Sequence, residues 1–321
     1  MSSESSTGGG AARKESLALL IYGYNPSLAA AVVFSVLFGL VTLAGVLRCV
    51  RGGRTGLQVL VMLTALAECI GYLCRAEFAH SPTLGVYLIQ DLVILLAPNA
   101  LALVTYKVLG QLIAVQQAGQ NDVACSRPST CTVPCFMDSR TGLLRGSRVS
   151  MVFLISDAVA FLIQCGGGGI MASNTSNPSK MKLGENTMLG GLAIQLIFFG
   201  LFTVLAVVAY RRRHDTAQQQ QQQATTCSPV GSPAIVDRVY HSLFVVIFLL
   251  TVRNLFRFVE FAQGNDGYAH THEVFFYLFE TLPILATFSV MLWTNIAAAL
   301  HDSVTHFDLP SARSTLIGET A

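Results

Sequence analysis

The stretch VRNLFRFVEFAQGNDGYAHTHEVFFYLFETLP, Val252 to Pro283, decides how the chain reads. It places Arg253, Arg257, Glu260, Glu273 and Glu280 within or against two apolar segments long enough to cross a bilayer. A charge at the centre of a membrane helix costs about 2.5–3.5 kcal/mol on an insertion scale, so it persists only where a partner or a polar cavity receives it. Arg253, Arg257 and Glu260 stand at i, i+4, i+7, and Glu273, Tyr277 and Glu280 repeat that interval. On helices, these spacings give each segment one polar stripe. GNDG at Gly264 to Gly267 reads as a tight turn, so the two stripes belong to adjacent antiparallel helices.

Composition sets the class. Of 321 residues, 52% are hydrophobic and 12% charged, against about a quarter charged in a soluble domain. Mean hydropathy is +0.56. These values describe a membrane protein, and a formal net charge of +2 gives no ground for a nucleic-acid partner. The sequence contains no Gly-x4-Gly-Lys-Ser/Thr phosphate loop and no Gly-x-Ser-x-Gly nucleophile motif, and no metal or cofactor is expected.

Outward from the opening stretch, the pattern predicts an all-α, seven-transmembrane-helix bundle. Spans are expected at about 28–47, 57–79, 84–115, 149–173, 188–210, 239–262 and 274–300, each reaching at least the roughly 20 residues a bilayer requires. Residues 22–300 form the membrane domain, 1–21 a polar Gly/Ser-rich tail read as disordered, and 301–321 a short polar tail. Span three carries Pro98 and is expected to tilt or kink. Gln116 to Arg148 and the segment after Tyr210, with glutamines from Gln218 to Gln223, read as polar loops.

Basic residues orient the bundle. Loops one, three and five with the carboxyl-terminal tail hold twelve arginines, among them Arg48, Arg51, Arg148, Arg211, Arg212 and Arg213. The other side holds Arg13, Lys14, Lys180 and Lys182. The positive-inside rule therefore predicts an outside amino terminus and a cytoplasmic carboxyl terminus. Asn174-Thr175-Ser176, a glycosylation candidate at Asn174, falls on the predicted outside.

With that orientation, a rise of about 1.5 Å per residue places Arg253 roughly 20 Å up its helix, and Asp91 and Glu280 about 10 Å below the outer face. Arg75, Arg253 and Arg257 then share the outer half with Asp91, Glu260 and Glu280, while Glu68 and Asp157 lie deeper. One reading is a set of ion pairs that locks the bundle. The other is a polar cavity that receives a charged or zwitterionic head group, with Arg253 and Arg257 taking a phosphate or carboxylate and Glu260 and Glu280 an amine. Glu68, Tyr72, Arg75, Asp91, Asp157, Gln164, Arg253, Arg257, Glu260, His272, Glu273, Tyr277 and Glu280 form the candidate head-group path. Gly166 to Gly169 read first as close helix packing. Cys125, Cys131 and Cys135 match no zinc spacing and read as free thiols, with palmitoylation as an alternative; His270 and His272 read as histidines at head-group level.

Six blocks in fixed order carry a resemblance: YGYNPSLAAAVVFSVLFGL (22–40), ECIGYLCR (68–75), QDLVILLAPNALALVTYKVLGQLI (90–113), SDAVAFLIQCGGGG (156–169), GLAIQLIFFGLF (191–202) and RNLFRFVEFAQGNDGYAHTHEVFFYLFETLP (253–283). In these the chain resembles the fungal lipid-translocating exporter family. The resemblance implies a seven-helix protein of the plasma membrane that moves lipids such as sphingoid long-chain bases, or sterol-like amphipaths, and confers tolerance of toxic amphipathic compounds. Membrane lipids and amphipathic small molecules are the implied partners.

A seven-helix receptor or membrane-stress sensor is the alternative. Against it, span three ends in TYKVLG without an Asp-Arg-Tyr type motif, and span seven has no Asn-Pro-x-x-Tyr and no lysine for a retinal Schiff base. An enzyme acting on lipids finds no complete catalytic constellation.

Overall fold

Apolar runs of this length can satisfy their backbone polar groups inside a bilayer only as helices. The computed structural model describes residues 26–51, 56–125, 146–173, 177–223, 233–264, 267–268 and 272–294. Seven helices in it are long and apolar enough to cross a membrane. They are α1 (Leu28–Arg51), α2 (Gly56–His80), α3 (Leu84–Cys125), α4 (Gly146–Ser173), α5 (Pro178–Gln223), α6 (Pro233–Gln263) and α7 (Glu273–Thr294). Asn174, Cys131, Cys135 and His270 lie outside the described residues.

Two helices outrun their apolar cores. α3 continues past Val115 to Cys125, and α5 continues through Arg211-Arg212-Arg213 to Gln223, where the polar sequence reads as loop. The i to i−4 hydrogen bonds of a helix do not require apolar side chains, and Gln, Ala and Arg are good helix formers. Neither extension contains proline. Arg213 on the α5 extension pairs with Asp237 of α6 at 2.6 Å, which holds the two helices together beyond the apolar band.

Each helix packs on its successor, and α7 returns to α1, so the bundle closes on itself. α3 is the most enclosed of the seven and also touches α5 and α6. The distribution of side chains is inverted relative to a soluble protein. Arg75 and Arg253 are among the largest side chains with essentially no exposure, while Leu162 and Phe248 are 68% and 66% exposed. Outward apolar side chains meet lipid, and the ionised groups are kept inside.

Glycines set the α4–α5 spacing. A Cβ on Gly167 would lie 2.7 Å from the Gly184 carbonyl oxygen, and one on Gly191 would lie 2.9 Å from that of Ala160. Two antiparallel backbones thus touch at points seven residues apart along α5, the close approach that small residues permit in membranes. Of the glycines after Gln164, Gly167 belongs to this seam and Gly168 comes near Met188, while a Cβ on Gly166 or Gly169 would meet nothing within 4 Å; α4 runs through all four to Ser173. Gly191→Val is expected to cost about 1–3 kcal/mol by overpacking. It should lower the melting temperature of the detergent-solubilised protein, read by size-exclusion fluorescence after heating. Gly190→Ala, whose added Cβ meets nothing within 4 Å, should leave it unchanged.

Candidate functional site

The centre of the site is built by three helices. Arg253 of α6 is fully buried and donates through Nε and Nη2 to Glu280 Oε1 of α7, at 3.0 and 2.5 Å. One turn further along α6, Arg257 donates through Nη1 to Glu260 Oε2 at 3.2 Å and through Nη2 to Asp91 Oδ1 of α3 at 3.4 Å. Its Nε lies 3.4 Å from Glu280 Oε2. Glu280 therefore bridges both guanidiniums. The stripe read from the spacing of Arg253, Arg257 and Glu260 is one buried face of α6.

The stripe on α7 divides. Tyr277 to Thr281 form a π-helical turn, closed by the Leu282 N–H donating to the Tyr277 carbonyl. Pro283 follows at once, and a proline cannot donate to the carbonyl of residue i−4 and clashes with it. A wider turn relieves that conflict and inserts one extra residue into the helix. Up to the first residue of the π turn, Glu273 and Tyr277 face α2: Arg75 donates through Nη2 to Glu273 Oε1 at 3.3 Å and through Nε to Tyr277 Oη at 3.2 Å. Within the turn, Glu280 faces α6, and Thr281 meets the Tyr72 hydroxyl of α2 at 2.5 Å. Arg75 thus pairs with Glu273, where sequence depth groups it with Asp91, Glu260 and Glu280.

The Arg75 subsite also fastens the helix ends. Its guanidinium lies over the Phe276 ring at 4.3 Å, and Phe34 of α1 stacks on Tyr277 at 4.9 Å. Both Glu273 carboxylate oxygens accept the Ser27 N–H, at 2.9 and 3.0 Å, at the start of α1. One carboxylate at the start of α7 therefore ties α1, α2 and α7 together.

Asp157 and Gln164 belong elsewhere. Tyr106 Oη of α3 donates to Asp157 Oδ2 at 2.6 Å, and Ser150 Oγ donates to the Tyr106 carbonyl at 2.8 Å. Gln164 donates to Gln195 Oε1 at 2.8 Å, and Gln195 donates to Asn99 Oδ1 at 2.5 Å. These are contacts among α3, α4 and α5, separate from the arginine cluster. Asn99, Tyr106, Gln195 and Thr281 are missed by a search for charges, although Asn99 and Gln195 signal themselves as amides inside apolar runs. His272 is exposed at the start of α7, with Nδ1 3.1 Å from the Tyr268 carbonyl oxygen. Among the described residues, no group of three His, Cys, Asp or Glu side chains converges to hold a metal ion.

The arginine cluster is closed: Arg253, Arg257, Glu260 and Glu280 are all buried, and Asp91 is the part-exposed member. A cleft of about 590 Å³, its open mouth included, lies at the opposite end of the bundle, between α1, α2, α3, α6 and α7. Arg48, Gln58 and Thr105 are its polar lining, and Val61, Val104, Leu243 and Met291 contribute to its apolar wall.

The sequence is matched by known proteins. The profile of the family described as RTA1 like protein covers residues 61–137 and 129–303. The chain belongs to the RTA1-like family. Among its relatives, the "Protoporphyrin uptake protein 1" of Saccharomyces cerevisiae is 26% identical over 305 residues, covering 83% of this chain and 88% of that protein. The "Probable lipid transporter atnI" of Emericella nidulans is 26% identical, with 84% and 66% covered. "Protein RTA1" of Saccharomyces cerevisiae is 26% identical, with 82% and 81% covered. No solved structure matches the chain significantly. This RTA1-like chain is an integral membrane protein with a lipid-related function.

Breaking a buried ion pair costs about 3–5 kcal/mol because the partner is left charged and alone. Arg253→Met and Glu280→Leu should each lower folded yield and melting temperature in detergent. The double variant should lose clearly less than the sum of the two, and simple additivity would remove the pair from the account of stability.

Proposed function

We propose that this protein translocates lipids or other amphipaths that carry a charged head group, and that the arginine cluster is where the head group binds. The observation that carries the reading is the network of Arg253, Arg257, Asp91, Glu260 and Glu280 shared by α3, α6 and α7. A scaffold gains little from such pairs, since apolar packing stabilises a membrane bundle as well. A head-group site needs them. Arginine forks match phosphate or carboxylate oxygens, and carboxylates match an ammonium.

The relatives' names support this chemistry. One names a lipid and another protoporphyrin, both apolar bodies with polar groups at the edge. The basic loops orient the cluster toward the outer leaflet and the Arg48 cleft toward the cytoplasm. Residence in the plasma membrane and tolerance of toxic amphipaths, with sphingoid bases or sterol-like compounds as cargo, complete the proposal. The activity is non-enzymatic.

Losing one charge-assisted hydrogen bond costs about 1.5–3 kcal/mol, roughly ten- to a hundredfold in affinity. Arg257→Ala and Glu260→Gln, at unchanged protein level, should slow movement of a fluorescent sphingoid base across proteoliposomes by that factor and sensitise cells to the compound. Vesicles hold no other protein, so movement there excludes a sensor acting through partners. Full activity in both variants would remove the head-group site.

A further inference from the structure

Glu68 is a buried ionisable group that the network leaves aside. It lies near the middle of α2, is 1% exposed, and its Oε2 has no hydrogen-bond partner. The carboxylate is within electrostatic reach of Glu280 on α7 and of Arg253 and Arg257 on α6. Tyr72, one turn along α2, is also close and is bound to Thr281. Of the other neighbours of α2, α1 has its arginines, Arg48 and Arg51, in its last turn at the far end. α3 brings Asp91, which Arg257 already holds, and Lys107, which is exposed.

The charges do not balance. Arg253 and Arg257 are engaged by Glu280, Glu260 and Asp91, so the guanidiniums are already compensated before Glu68 is counted. With every carboxylate ionised, the cluster carries an excess of negative charge around a buried oxygen that accepts no hydrogen bond from the protein. A carboxylate in that position takes up a positive charge, as a proton or a cation.

We infer that Glu68 is an exchangeable proton site, occupied while the head-group site is empty and vacated when a cationic head group enters between Glu68 and Glu280. This rests on the head-group reading of the same cluster. The exchange balances: one proton leaves Glu68 for water on the side from which one positive charge arrives, and a proton from the other side releases the cargo. No bond other than O–H is broken. Movement is then coupled to a proton gradient, with cargo collecting in the leaflet that faces the more acid compartment.

Two measurements on the full chain in phosphatidylcholine vesicles test it. The first needs no cargo: infrared difference spectra should show the C=O band of a protonated carboxyl that Glu68→Gln removes and Glu68→Asp shifts. The Asp variant keeps the test open if the Gln variant does not fold. The second uses a fluorescent single-chain quaternary-ammonium amphipath, whose own charge does not titrate, under imposed pH gradients. Wild type should move it toward the acid side with a bias of up to about tenfold per pH unit, and Glu68→Gln, which can neither release the proton nor receive the cation, should move it more slowly and without that bias. A band insensitive to both substitutions overturns the proton site. Movement by wild type that ignores the gradient overturns the coupling and leaves translocation standing, whereas a Glu68 band with no movement at all overturns the head-group reading and with it the exchange.

Discussion

A guanidinium stays charged at any pH a cell offers, so a membrane protein that buries two of them must bring carboxylates to meet them. Arg253 and Arg257 stand on one face of α6, and the acids that answer them come from α3, α6 and α7. That requirement fixes which helices are neighbours. α7 must lie against α6 so that Glu280 can bridge both arginines, and α3 must lie close enough for Asp91 to reach Arg257. Arg75 sets a matching condition on the other side of α7, where Glu273 and Tyr277 receive it and Ser27 fastens α1 to the same carboxylate. With α7 held from both sides, the ring of helices closes.

The π turn at Tyr277–Thr281 lets one helix meet both conditions. On a straight α-helix, Glu273, Tyr277 and Glu280 at i, i+4, i+7 would share one face. Here that face is needed by α2 for the first two residues and by α6 for the third. Pro283 weakens the α-helical bonding of the preceding turn, and the extra residue redirects Glu280 and brings Thr281 to Tyr72. Local backbone chemistry therefore decides a tertiary contact.

Much of this was legible in the sequence, for physical reasons. Spans are visible because a bilayer tolerates only long apolar helices, and the α6 face is visible because charges at helical spacing persist in a span only where partners or a cavity receive them. The division of the α7 stripe was not, since a π turn leaves no mark beyond Pro283, and periodicity assumes an unbroken helix. The pairing of Arg75 with Glu273 was missed because depth along a span gives height in the membrane and says nothing of azimuth around the bundle. Asp157 and Gln164 read as a deeper part of the same path because both are polar within a span. Their partners, Tyr106 and Gln195, are neutral, so a search for charges passes over them. The extensions of α3 and α5 were lost because helix and span are different properties: one is set by backbone bonding and the other by the apolar band.

The closed cluster also constrains how any cargo could pass. Pulling Arg253 from Glu280 without replacement strands two charges in a poorly solvating interior, a penalty no thermal fluctuation covers often. A head group that brings its own charge removes the penalty, because its anion can take the place of a carboxylate at a guanidinium and its cation the place of a guanidinium at a carboxylate. An uncharged apolar molecule offers no such substitution and leaves the pairs as they are. On the proposed reading, the ion pairs that hold the bundle shut are therefore also its selectivity. They stay closed to molecules that cross lipid unaided and yield to those whose charge keeps them from crossing.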